Sequence, residues 1–206
     1  MKIIRIVFLW ISIAVFCVPA EMVYYTLDHV ILQDGAQMTG IFSWMYTAGD
    51  FENGTGQFVS LDIPRTTHNQ DDLRATFDIG SSIEITLTNN VDSDGVDISL
   101  FLTNALTATA GSPLDLARSK YDIGGDGFYA GFFLSGSISP TDIVLSIEPV
   151  SAGVVSVSWE PEVPGLVLQE TTSLLETNWV NSASGTTNPA LVSATAPAMF
   201  YRLVMP

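Results

Sequence analysis

Between Tyr24 and Tyr46, two runs rich in apolar, aromatic and β-branched residues are separated by Gln33-Asp34-Gly35-Ala36. Side chains alternate across a strand, so a period of two marks extended chain. Asp-Gly supplies the pair that tolerates positive φ where a tight connection demands it. The stretch therefore predicts a β-hairpin. On its outgoing arm Phe42, Trp44 and Tyr46 share one face, while Ile41, Ser43 and Met45 share the other. On the incoming arm Tyr25 and Leu27 keep one phase and Val30 and Leu32 the opposite one. One extra residue near Asp28 and His29 reconciles them, which predicts a β-bulge.

Beyond the hairpin, apolar and β-branched runs recur between clusters of Gly, Pro, Asn and Asp, at 56–63, 73–77, 82–88, 96–103, 128–138, 143–147, 154–159, 166–171 and 199–204. Short strands at this spacing predict an all-β chain built from antiparallel, sandwich-like modules. The one helix signal lies at 113–120, where Ser112 is placed to cap and Pro113 to fill the first turn. Seven of the ten prolines lie from Pro140 onward, and Asp becomes sparse there. We place a module boundary at that point, giving a module at 21–139 and a smaller one at 140–206. The smaller one is near the lower size limit for independent folding, so it is expected to lean on its neighbour.

Residues 1–20 have a different character. Lys2 and Arg5 precede an apolar run at 6–18, and Val18-Pro19-Ala20 offers short residues to a signal peptidase. This is the pattern of a cleaved secretory signal helix, and the run is short for a permanent membrane anchor, which takes roughly 20 residues. Phe16 before Cys17 breaks a lipobox. Removing the leader takes away the only cysteine and leaves five basic residues against 22 acidic ones, a formal charge of −17. A secreted or cell-surface chain of this kind relies on its core without disulfides. Its charge repels phosphate backbones and anionic lipid, so neither nucleic acid nor membrane is an expected partner; glycans and other surface proteins are.

Two resemblances follow from particular residues. Tyr25-Thr26-Leu27, Gln33-Asp34-Gly35-Ala36 and Thr39-Gly40-Ile41-Phe42, with 56–63 and 132–138, are similar to the recurrent hairpin and strands of secreted bacterial β-domains found in proteins sorted by a PEP-CTERM anchor. The chain carries no Pro-Glu-Pro, apolar helix and basic tail, so sorting by that anchor is not implied. Val157-Ser158-Trp159, the stretch at 165–172, Asn178-Trp179 and Phe200-Tyr201-Arg202-Leu203-Val204 resemble a C-terminal module of large exported bacterial proteins, of fibronectin type III or immunoglobulin-like kind. The resemblances imply an exported protein of structural or binding character and supply no catalytic residues.

The candidate chemistry is sparse. Asp92, Asp94 and Asp97 surround Gly95, and clustered oxygens of this kind suit calcium. As an EF-hand the loop fails, because Phe101 stands where a bidentate Glu is required. A plain turn between strands accounts for the same residues. Asp122-Ile123-Gly124-Gly125-Asp126-Gly127 lacks the spacing of a phosphate-binding loop and reads as a loop leading into a strand. Asn53-Gly54-Thr55 matches a glycosylation sequon and reads as a turn. His29 and His68 are the only imidazoles, and neither G-x-S-x-G nor H-E-x-x-H is present, so the chain is not expected to be an enzyme. The Phe42, Trp44 and Tyr46 face reads as core, with a second reading in which Trp44 and Tyr46 stack on sugar rings. The expected function is thus a secreted, non-catalytic surface or matrix role without a required cofactor, calcium aside. The alternatives are a carbohydrate-binding module using these aromatics and a carboxylate-dependent glycoside hydrolase.

N-terminal sequencing of the chain recovered from the exported fraction should return Glu21 first; an intact Met1 in membranes would contradict the leader reading.

Overall fold

The computed structural model describes residues 20–88, 95–124, 128–175 and 178–204. The predicted signal helix at 1–20 lies, apart from Ala20, outside the described residues, as do Asp92 and Asp94. The described chain is all-β. Its first three strands, β1 (Ala20–Leu32), β2 (Gln37–Thr47) and β3 (Asp50–Asp62), form an antiparallel meander. The predicted hairpin turn is closed by a Gly35 N–H to Leu32 O bond of 2.9 Å, with Gly35 at φ 86°, where a side chain would be strained. Asp34 braces the turn, accepting from Ala36 N at 3.0 Å and pairing with Arg65 at 3.0 Å. The predicted bulge is present. Pairing of β1 with β2 shifts between Thr26 and Val30, and His29 takes φ 49°. The inserted residue lets Tyr25, Leu27, Val30 and Leu32 all point inward.

The next strands are β4 (Leu73–Asp78), β5 (Ser82–Leu87), β6 (Val96–Phe101), β7 (Ser112–Pro113), β8 (Lys120–Gly124) and β9 (Phe128–Thr141), with a 3-10 turn at Gln70–Asp72 before β4. Their order is β3-β2-β1-β9-β8-β6-β5-β4, and β7 pairs with β9. The long β9 belongs to two layers: residues 128–132 pair with β8, and most of its later residues pair with β1. The sheet therefore turns a corner along β9 and folds back on itself. Phe42 on β2 and Phe58 on β3 meet Phe77 on β4 at 5.1 and 5.4 Å between ring centroids, while Tyr25 stacks on Phe42 at 5.0 Å. Gly56 is small because Phe77 lies over its backbone, leaving no room for a Cβ.

Three local expectations give way to this packing. No helix forms at 113–120: Ser112-Pro113 pairs with Ile138 and Ser137, Leu114 bridges Leu102, and Asp115 closes a short turn by accepting from Ala117 N and Ser119 N. Long-range pairing outweighs the local capping signal there. Asn53-Gly54-Thr55 is no turn but lies inside β3, since Gly54 sits under the Trp44 indole. Residues 120–124, read in part as loop, form β8 between β6 and β9.

The remaining strands are β10 (Val144–Ser151), β11 (Val154–Glu160), β12 (Val167–Thr171), β13 (Val180–Asn181), β14 (Ala190–Ser193) and β15 (Phe200–Val204). They make two three-stranded antiparallel sheets, β10-β11-β14 and β13-β12-β15, around Val157, Trp159, Leu166, Leu168 and Val192. Asn188 bonds both Trp159 N and Trp159 O through its side-chain amide, continuing the ladder where β14 has not yet begun. Tyr24, Ile41 and Val59, from the outer face of β1-β2-β3, pack against this second core.

Two outcomes follow from the packing. Phe42→Ala removes a fully buried ring from the aromatic stack and should lower unfolding stability by about 3–5 kcal/mol in denaturant titration. The Ala36 N–H, and after it Arg65, hold the Asp34 carboxyl below its ordinary 3.8. A depressed folded value means that its stabilisation is present above that ordinary value and is lost as pH falls through the folded one. Asp34→Ala should therefore flatten the acid limb of the stability profile below about pH 4, while an unchanged limb would assign it to other carboxylates.

Candidate functional site

At one end of the first sandwich the two layers part. The opening is a cleft of about 630 Å³, lined by Tyr46, Phe51 and Glu52 on one side and by Ile79, Gly80 and 105–109 on the other. Each wall has a sequence cause. Ala48-Gly49 turns β2 into β3 with Gly49 at φ 83°, which brings Phe51 beside Tyr46. Their rings meet edge to face, 4.8 Å apart and 71° between planes. Behind them the buried Trp44 donates its indole N–H to Phe51 O at 2.8 Å, fixing the backbone that carries Phe51 and Glu52.

The facing wall is held as firmly. Leu106 is buried and its N–H bonds Ile79 O at 2.8 Å. Thr107 and Ala110 pair through their backbones, the Thr107 hydroxyl oxygen accepts from Ala110 N at 3.0 Å, and Tyr25 donates its phenol to Thr107 O at 2.6 Å. Gly111 ends the loop against the Ile138 carbonyl, where a Cβ would collide with backbone. Burial pushes the Tyr25 phenol far above its ordinary 10.0, so it stays protonated and keeps donating.

The acidic groups near the cleft are unequal. Asp78 accepts from Gly80 N at 3.1 Å and from the Ser81 hydroxyl at 2.7 Å, so it serves the turn between β4 and β5. Glu21, opposite Tyr46 in the ladder, accepts the Tyr46 hydroxyl, and this bond raises the Tyr46 phenol above its ordinary 10.0. Glu52 stands exposed at the lip.

The two residues read first as core, and in the second reading as stacking on a sugar, thus separate. Trp44 is a buried support, whereas Tyr46 is half-buried and lines the cleft. Phe51, Glu52 and 105–109 were not among the predicted site residues. Phe51 was readable as a second aromatic just past a Gly-Asp turn, but nothing local placed 105–109 across from it. Compared with protein families, with curated proteins and with solved structures, the chain matches none.

Of the predicted calcium ligands, Asp97 is described: it lies exposed on β6, directly opposite Asp122 on β8. Among the described residues no three His, Cys, Asp or Glu side chains gather as a metal site. His29 acts through its backbone, its carbonyl accepting from the Ser135 hydroxyl at the bulge. A second cavity of about 600 Å³ lies between the outer face of β1 and the C-terminal sheets, lined by Met22, Tyr24, Ile143, Leu145 and Leu203 among others.

Like charges directly opposite across a ladder repel. In chelator and low salt, Asp97→Asn should raise the thermal midpoint, by a relief of about 0.2–1 kcal/mol. A lower midpoint for the variant than for the wild type would mean that the pair is stabilising as built.

Proposed function

We propose that the chain is an exported, non-catalytic protein that binds or displays at a cell surface or in an extracellular matrix, with the Tyr46–Phe51 cleft as its recognition site. The observation that carries this reading is the make-up of the cleft. Rings, hydroxyls and backbone groups sit on two walls that are already fixed, as a binding site requires. Acid–base hydrolysis asks for two carboxylates facing one another across the substrate. Of the two carboxylates that line the cleft, Asp78 is committed to its own turn by bonds from Gly80 N and the Ser81 hydroxyl, which leaves Glu52 at the lip as a single acid rather than one of a pair. The leader-like first twenty residues, the charge of −17 without them and the resemblance to secreted bacterial β-domains support an address outside the cytoplasm. Among the described residues no helix is long and apolar enough to cross a membrane.

The reading is tested by incubating the purified exported chain with insoluble envelope and matrix material, then measuring bound protein and released reducing ends. Retention is expected, lowered several-fold by Phe51→Ala, with no product released. Reducing ends that disappear with Glu52→Gln would replace this reading with the hydrolase.

A further inference from the structure

Resting on the cleft as a recognition site, we infer that its ligand is an uncharged pyranose, the exposed sugar of a neutral surface glycan. The volume of about 630 Å³ falls within the range of small-molecule sites. Tyr46 and Phe51 stand at 71° to each other and form an aromatic corner. A pyranose is itself two-sided: its axial C–H bonds make an apolar face that stacks on a ring, and its hydroxyls point outward around the rim. The second wall answers those hydroxyls. Thr107 accepts from Ala110 N through its hydroxyl oxygen, which leaves its own proton to donate outward, and Glu52 at the lip offers an acceptor. Ile79 and Leu106 are buried at the base and leave an apolar floor.

Charge narrows the class. None of the lining residues is Lys, Arg or His, so a sulfate or uronate finds no counterion there. The overall charge adds repulsion at longer range. A quaternary ammonium is recognised by rings on several sides, and here the wall facing the two rings, Asp78, Ile79, Gly80 and 105–109, carries no aromatic residue.

The Trp44 indole N–H reports on this site, because it is bonded to the carbonyl of Phe51. The experiment titrates the exported chain, labelled with ¹⁵N, with neutral oligosaccharides of glucose, mannose, xylose and N-acetylglucosamine, with oligogalacturonate and heparin fragments as acidic arms, and with tetramethylammonium. At least one neutral oligosaccharide should shift the Trp44 indole cross-peak saturably. Tyr46→Ala should weaken that binding roughly tenfold. Should Tyr46→Ala fail to fold, Glu52→Gln, at an exposed position, should still weaken it several-fold with an unchanged melting midpoint.

Saturable shifts by an acidic glycan or by tetramethylammonium, with none by the neutral sugars, would overturn the ligand class and leave the recognition site standing. Neutral sugars that bind without moving the Trp44 peak would overturn the location. No shift by any probe, together with full retention on envelope material by Phe51→Ala, would remove the cleft from the account altogether.

Discussion

The three-stranded meander at the start of the chain is used on both faces, and the rest of the structure depends on it. Its inner face presents Tyr25, Phe42, Trp44 and Phe58 to the first core. Its outer face presents Tyr24, Ile41 and Val59 to the second. A sheet buried on one side alternates apolar and polar residues; one buried on both becomes apolar throughout. Tyr24-Tyr25 and Ile41-Phe42 are such consecutive apolar pairs. Tyr24, Ile41 and Val59 add partly buried apolar surface to a small C-terminal core built around Val157, Trp159 and Leu168.

The same meander sets the position of the cleft. The aromatic row that fills the first core begins deep, with Phe42 fully buried, and rises through Trp44 to the half-buried Tyr46. One continuous face thus changes from core to surface along a single strand. Trp44 marks the change, since its ring is packed in the core while its N–H holds the wall of the cleft. Under the proposed function, stability and recognition are coupled at that residue.

Much of the fold was legible because it rests on local chemistry. The Asp34-Gly35 turn, the phase change at His29 and most strand positions follow from residue types and period. What was not legible depends on partners distant in sequence. Gly54 looks like a turn residue until Trp44 is seen to cover it, and the capping pattern at Ser112-Pro113 yields to pairing with β9. The site was half legible for the same reason. Tyr46 could be named from its stripe, but Trp44 could not be told apart from it, and the opposing wall at 105–109 lies some sixty residues away.

The most direct test of the two-faced meander is hydrogen exchange, read by mass spectrometry, on the double variant Ile41→Thr, Val59→Thr. These changes keep β-branched side chains on the strands and weaken only the outer apolar face. Exchange should speed up at least severalfold in β11, β12 and β15 while β4, β5 and β6 keep their protection. Equal protection of the C-terminal strands in variant and wild type would show that the second core stands by itself, and the account of one sheet serving two cores would be wrong.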